Sequence, residues 1–151
     1  MSCHCWTIDG YGICTEGIVT TKERLLDFVR NAPNFEKKFT QWLDDAYSEE
    51  ELKEMEVHEI IDEYEDDRGE NGLAPIMRDV INEAEDIMLT SCSGFDGDHY
   101  LLIEPSYPWS ELSEKEKSLA KEAAGAIFRK YVKMLTDKDV EASYWSVENG
   151  G

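Results

Sequence analysis

The sequence predicts an α+β fold in one domain spanning 1–151, a small antiparallel sheet of three to five strands packed with about five helices. Three observations carry this. Apolar residues recur with helical spacing through much of the chain, strand-prone residues occupy both ends, and a glycine-centred hairpin interrupts the helices near residue 95. A chain of 151 residues buries roughly 70% of the surface it exposes when unfolded. Hydrophobic content is 41%, well above that of apolar-poor disordered chains.

Residues 4–19 read as two short strands, with Trp6, Ile8, Ile13 and Val19 strand-prone and Asp9-Gly10 a turn signal. Thr20 and Glu23 then have capping-box spacing, which predicts a helix that turns Leu25, Leu26 and Val29 inward and stops before Ala32-Pro33. Asn34 is expected to cap the next helix, whose apolar stripe is Phe35, Phe39, Trp42, Leu43 and Ala46. Val57, Ile60, Ile61 and Tyr64 form a second stripe. Leu52 and Met55 do not lie on it, which predicts a break near Glu56.

A turn is expected over 68–72. Ile76, Met77, Val80, Ile81, Ala84 and Ile87/Met88 then make the cleanest amphipathic helix, with Pro75 tolerated in its first turn. Met88–Cys92 and Tyr100–Glu104 flank the hairpin turn at Asp96-Gly97. A rigid aromatic loop over 105–109 precedes a second capping box, Ser113 with Glu116. The long helix behind it is expected to bury Ala120, Ala123, Ala124, Ile127, Phe128, Tyr131, Val132 and Leu135. Thr136-Asp137 ends this helix, and 143–147 reads as a last strand.

Charge is the dominant feature. The chain carries 34 acids against 15 bases, a formal net charge of −19. Residues 44–86 hold eighteen of those acids against Lys53, Arg68 and Arg78, while 1–43 and 111–141 each balance. Such a surface repels nucleic-acid phosphates and anionic headgroups and attracts basic partners. Direct nucleic-acid or membrane binding is therefore not expected. No apolar run is long enough to span a bilayer, and the first ten residues have neither a basic nor an apolar signal region. A cytoplasmic protein is expected, with Cys3, Cys5, Cys14 and Cys92 as thiols.

Three constellations touch on chemistry. Cys3-His4-Cys5 with Cys14 has metal-competent side chains but lacks the C-x₂₋₄-C spacing of zinc sites, so small buried thiols are the preferred reading. His58-Glu59-Ile60-Ile61-Asp62 is similar to a zinc-protease helix, except that Asp62 replaces the second imidazole. Asp96-Gly97-Asp98 matches the start of a calcium loop, but Tyr100 and Tyr107 stand where later ligands belong. No phosphate-binding or nucleophile-elbow motif is present. The expectation is a protein that is not an enzyme and needs no cofactor or metal. A metal-dependent hydrolase using His58, Glu59 and Asp62, or Asp96 and Asp98, is the alternative from another class.

The acidic segment supplies the candidate partner-binding residues: Asp44, Asp45, Glu49, Glu50, Glu51, Glu59, Glu63, Asp66, Asp67 and Glu70. Like charges at i, i+4, such as Glu59–Glu63 and Asp62–Asp66, cost roughly 0.2–0.5 kcal/mol per pair. Solubility alone does not require so concentrated a penalty, and a basic partner relieves it. Solvated carboxylates that only keep the chain soluble are the plain competing reading.

The stretch GFDGDHYLLIEPSYPW (94–109) and the ending YWSVENGG (144–151) resemble small uncharacterised proteins carried by bacterial prophages and conjugative elements. The resemblance implies a setting in which small acidic proteins block host defence, including DNA-mimicking anti-CRISPR and antirestriction proteins. It brings no catalytic residues. The expected function is thus an acidic interaction protein that binds and inhibits a basic, nucleic-acid-binding protein such as a nuclease. An immunity protein against a basic toxin is the alternative within the same class.

Overall fold

The computed structural model describes residues 5–66, 70–93, 98–103 and 114–150. It has the expected α+β architecture, with a four-stranded antiparallel sheet and six α-helices among the described residues. The strands are β1 (Cys5–Cys14), β2 (Thr90–Ser93), β3 (His99–Ile103) and β4 (Ser143–Gly150), in the order β2-β3-β1-β4. Both ends of the chain contribute strands, as the sequence predicts, and these two pair from Cys5↔Gly150 to Gly12↔Ser143.

The first strand corrects an expectation. Asp9-Gly10 does not turn the chain; it lies inside one ten-residue strand. Among the described residues positive φ occurs only at Gly72 and Asp86, so Gly10 is extended. The glycines serve close approach instead. A Cβ on Gly10 would sit 2.8 Å from the Ile103 carbonyl oxygen, and one on Gly12 would overlap that of Leu101. With β3 against one side and β4 against the other, the glycines admit backbone where a turn would need φ > 0.

The helices are α1 (Lys22–Val29), α2 (Pro33–Ala46), α3 (Glu49–Glu54), α4 (Val57–Glu63), α5 (Leu73–Glu85) and α6 (Glu114–Leu135). Strand alternation sends Leu101 and Leu102 to opposite faces. Leu101 joins the main core with Phe28, Phe39, Ile76, Ile81, Phe128 and Leu135. Leu102 joins a small second core with Cys92, Tyr100 and Val147. Trp145 packs on that second core and donates from Nε1 to the Gly12 carbonyl at 3.0 Å. Gly72, at φ 102°, starts α5 in a conformation that disfavours a side chain.

Helix ends differ from expectation in two places. The α1 cap is Thr21, whose hydroxyl accepts from the Arg24 amide at 3.2 Å; Thr20 is buried, and its hydroxyl has no partner among the described residues. The α2 cap is not Asn34, because Pro33 is already helical and the amides of Asn34 and Phe35 bond to Glu83. Phe28 is buried on α1 where Leu26 was expected, and Leu26 is exposed. Ala46, Ala84, Met88 and Ala123 are exposed too, each at the margin of its stripe. The predicted break at Glu56 is present: α3 ends at Glu54, and Glu56 is the N-cap of α4. Asp67, Asp96, the 105–109 loop and Ser113 lie outside the described residues. Among the described residues no helix is long and apolar enough to cross a membrane.

Candidate interaction surface

The acidic surface begins where α2 ends. Ser48 accepts from the Glu51 amide at 3.2 Å, and the Glu51 carboxylate accepts from the Ser48 amide at 3.3 Å, a capping box that turns the chain into α3. No residue of α3 is buried, so propensity and caps hold it more than packing does. Its C-terminal end is tied down by Lys22, whose ammonium donates to the Leu52 carbonyl at 2.9 Å and the Lys53 carbonyl at 3.3 Å. Ile60 and Tyr64 are buried and anchor α4, while Val57 and Ile61 are half-buried.

Asp44, Asp45, Glu49, Glu50, Glu51, Glu59 and Glu63 are all exposed on these three helices. Among the described residues none of them pairs with a cation within 4 Å. Tyr47 reports their proximity. Partial burial raises its phenol pKa above the ordinary value, and Glu63, Glu51 and Glu59 add to that shift electrostatically. Acids from α3 and α4 therefore share one neighbourhood.

Aromatic rings lie beneath them. Tyr47 meets Trp42 edge-on at 6.0 Å, and Trp42 meets Tyr64 edge-on at 5.5 Å and Phe39 at 5.6 Å. Phe35 stacks on Phe39 at 5.8 Å and completes the row. A groove of about 430 Å³ opens beside this row, between α2, α5 and the chain leaving α4.

Two of the predicted acids have a different role. The Asp66 side chain is only 4% exposed and pairs with Arg78, which is 9% exposed; Glu70 bonds the same guanidinium. Asp79 accepts from Arg78 Nε at 3.0 Å, and Ser91 Oγ accepts from Nη1 at 2.8 Å. Burial alone would lower the Arg78 pKa. Hydrogen bonds and charge from Asp79, Asp66 and Glu70 outweigh it and hold the guanidinium above its ordinary value. Asp66 is thus corrected from an open-face residue to an internal one, because a buried guanidinium needs carboxylate partners. Its amide also donates to the Glu70 carbonyl at 2.8 Å, closing the connection between α4 and α5.

Arg78 was missed in the sequence. It stands among Ile76, Met77, Val80 and Ile81, and a lone base inside an apolar stripe and an acidic segment was the signal available. Glu83, which caps α2 at 3.0 and 3.1 Å, lies nearly fifty residues away and left no local signal.

Of the hydrolase residues, the three on α4 all face solvent, and Asp96 lies outside the described residues. His58 is 65% exposed with Glu56 at 3.5 Å, and Glu59 and Asp62 are also exposed, on a helix whose buried face holds Ile60. Among the described residues no three His, Cys, Asp or Glu side chains group as a metal site. Cys14 is half-buried, Cys92 is buried and Cys3 lies outside the described residues. Asp98 is half-buried beside the hairpin. His99 is engaged with Glu16, whose carboxylate accepts from its amide and contacts Nδ1, each at 2.8 Å. No protein family, curated protein or solved structure matches this chain.

Proposed function

We propose that this protein is a cytoplasmic, non-enzymatic binding protein whose acidic face docks on a basic, nucleic-acid-binding partner and inhibits it. The single observation that carries this reading is the set of seven exposed carboxylates on consecutive helices α2, α3 and α4, none with a cation partner among the described residues. A groove that neutralises phosphates presents spaced Lys and Arg. Carboxylate rows repeating at about 5.4 Å per helical turn mimic a phosphate rise of about 3.4 Å per strand imperfectly, and flexible Asp and Glu side chains make up the difference. The resemblance to proteins of prophages and conjugative elements supports an anti-defence role of this kind. Charge attraction also speeds encounter, so the association rate falls as salt rises.

The test is capture from bacterial lysate on immobilised protein, with duplex DNA as competitor. The expected result is a basic, nucleic-acid-binding protein that is displaced by DNA and lost at high salt. The triple change Glu51→Gln, Glu59→Gln and Glu63→Gln should weaken capture at least tenfold, as loss of several desolvated charge pairs does. Retention that ignores salt, DNA and the triple change would overturn the reading.

A further inference from the structure

The aromatic groove beside the acidic face has the chemistry of a receptor for one cationic side chain. We propose that it accepts an arginine of the partner, an inference that rests on the reading of the acidic face given above. Trp42, Tyr64, Phe35 and Phe39 line the groove, and Trp42 is the half-buried ring among these four. Glu65 stands at its rim, exposed and without an ion pair among the described residues. The other rim carboxylates are already committed, Asp66 and Asp79 to Arg78 and Glu83 to the α2 amides. Asp66 and Asp79 share the Arg78 charge and Glu83 holds the α2 amides, which leaves Glu65 as the rim acid with no such partner among the described residues.

Three features select the occupant. The aromatic surface favours a flat, weakly hydrated cation over a compact ammonium, which is the physical difference between arginine and lysine. Charge complementarity disfavours an anion: four carboxylates border the groove, against Lys38 in its lining and Arg78 behind Asp66 and Asp79. Continuity links the groove to the acidic face, because Trp42 touches both Tyr64 in the groove and Tyr47 beside Glu51, Glu59 and Glu63. A basic strand lying along α3 and α4 can therefore turn one guanidinium into the groove.

Lys38 supplies an internal control. Both Lys37 and Lys38 are exposed, and of the two Lys38 lines the groove. Removing either charge changes the net charge by the same amount, so a difference between the two reports position alone.

The experiment measures binding of end-capped tetra-arginine and tetra-lysine peptides to the full chain by calorimetry at low salt. The proposal expects the arginine peptide to bind about threefold or more tighter, the gain of one partly desolvated cation–π contact. Lys38→Gln should tighten arginine binding more than Lys37→Gln does. Glu65→Gln should weaken it more than Glu49→Gln, and Trp42→Leu should remove the preference for arginine. Should Trp42→Leu lose its fold, the Lys38/Lys37 and Glu65/Glu49 comparisons decide alone. Equal affinity for both peptides, with each pair of charge variants indistinguishable, overturns the groove and leaves the acidic face standing. Absence of binding by either peptide overturns both.

Discussion

Asp66 and Arg78 form a buried ion pair between the chain leaving α4 and the middle of α5. The pair does for the acidic segment what an apolar contact does elsewhere: it fastens a highly charged stretch to the core at one point. Removing one partner leaves the other charge buried and alone. Arg78→Met should destabilise the fold by about 3–5 kcal/mol, and adding Asp66→Leu should recover a large part of that loss. Urea unfolding curves of the single and double variants measure both effects. A double variant no more stable than Arg78→Met would mean that Glu70 and Asp79, not Asp66, hold the network.

Glu83 closes the amino-terminal end of α2 from another helix, with its two carboxylate oxygens on consecutive amides. Glu83→Ala should therefore cost about 1 kcal/mol, the usual worth of a cap. Asn34→Ala should change stability by less than about 0.5 kcal/mol, because its side chain caps nothing. The opposite ranking in denaturant melts would restore Asn34 as the cap.

Gly12 is the position where sheet packing leaves no room. Gly12→Ala forces a Cβ onto the Leu101 carbonyl and should cost about 1–3 kcal/mol or more, as overpacking does. Gly17 is the control, since a Cβ there meets nothing within 4 Å. Gly17→Ala should leave the thermal midpoint nearly unchanged, and a comparable loss at both sites would contradict the close approach.

Tyr47 gives the acidic face a signature at alkaline pH. Its folded-state pKa lies above 10.0, so the contribution of the neutral phenol is fully present below pH 10.0. As pH rises further the unfolded chain ionises first, and stability falls until the folded-state pKa is passed. Tyr47→Phe should flatten the decline above pH 10.0 in unfolding curves taken across that range. A curve parallel to that of the unsubstituted protein would argue against a raised Tyr47 pKa, from burial or from Glu63, Glu51 and Glu59.

Local patterns account for most of what was legible in advance. The stripes Phe35/Phe39/Leu43, Ile60/Tyr64 and Ile76/Val80/Ile81 repeat at helical spacing and are buried. The antiparallel pairing of Cys92 with Tyr100 and the break at Glu56 also stand where the residues indicate. Each depends on neighbours within one or two turns of chain. The candidate acids divide differently: seven face solvent, whereas Asp66 is internal and Glu70 is bonded to Arg78. Composition reports that carboxylates are plentiful, but it carries no information on which one a distant guanidinium will take.

By itself the sequence determined the fold class, the strand-forming ends, the helical stripes and the placement of most acidic charge on one segment. Periodicity and charge are written residue by residue, so they need no partner to be read. The tertiary structure alone decided that Asp9-Gly10 runs straight through a strand, that Glu83 caps α2 and that Arg78 draws Asp66 inside. It also decided that Trp42 borders a groove next to the acids. Each of these joins residues far apart in the chain, and the free energy of a backbone approach, a cap or a buried ion pair exists only once both sides have been brought together.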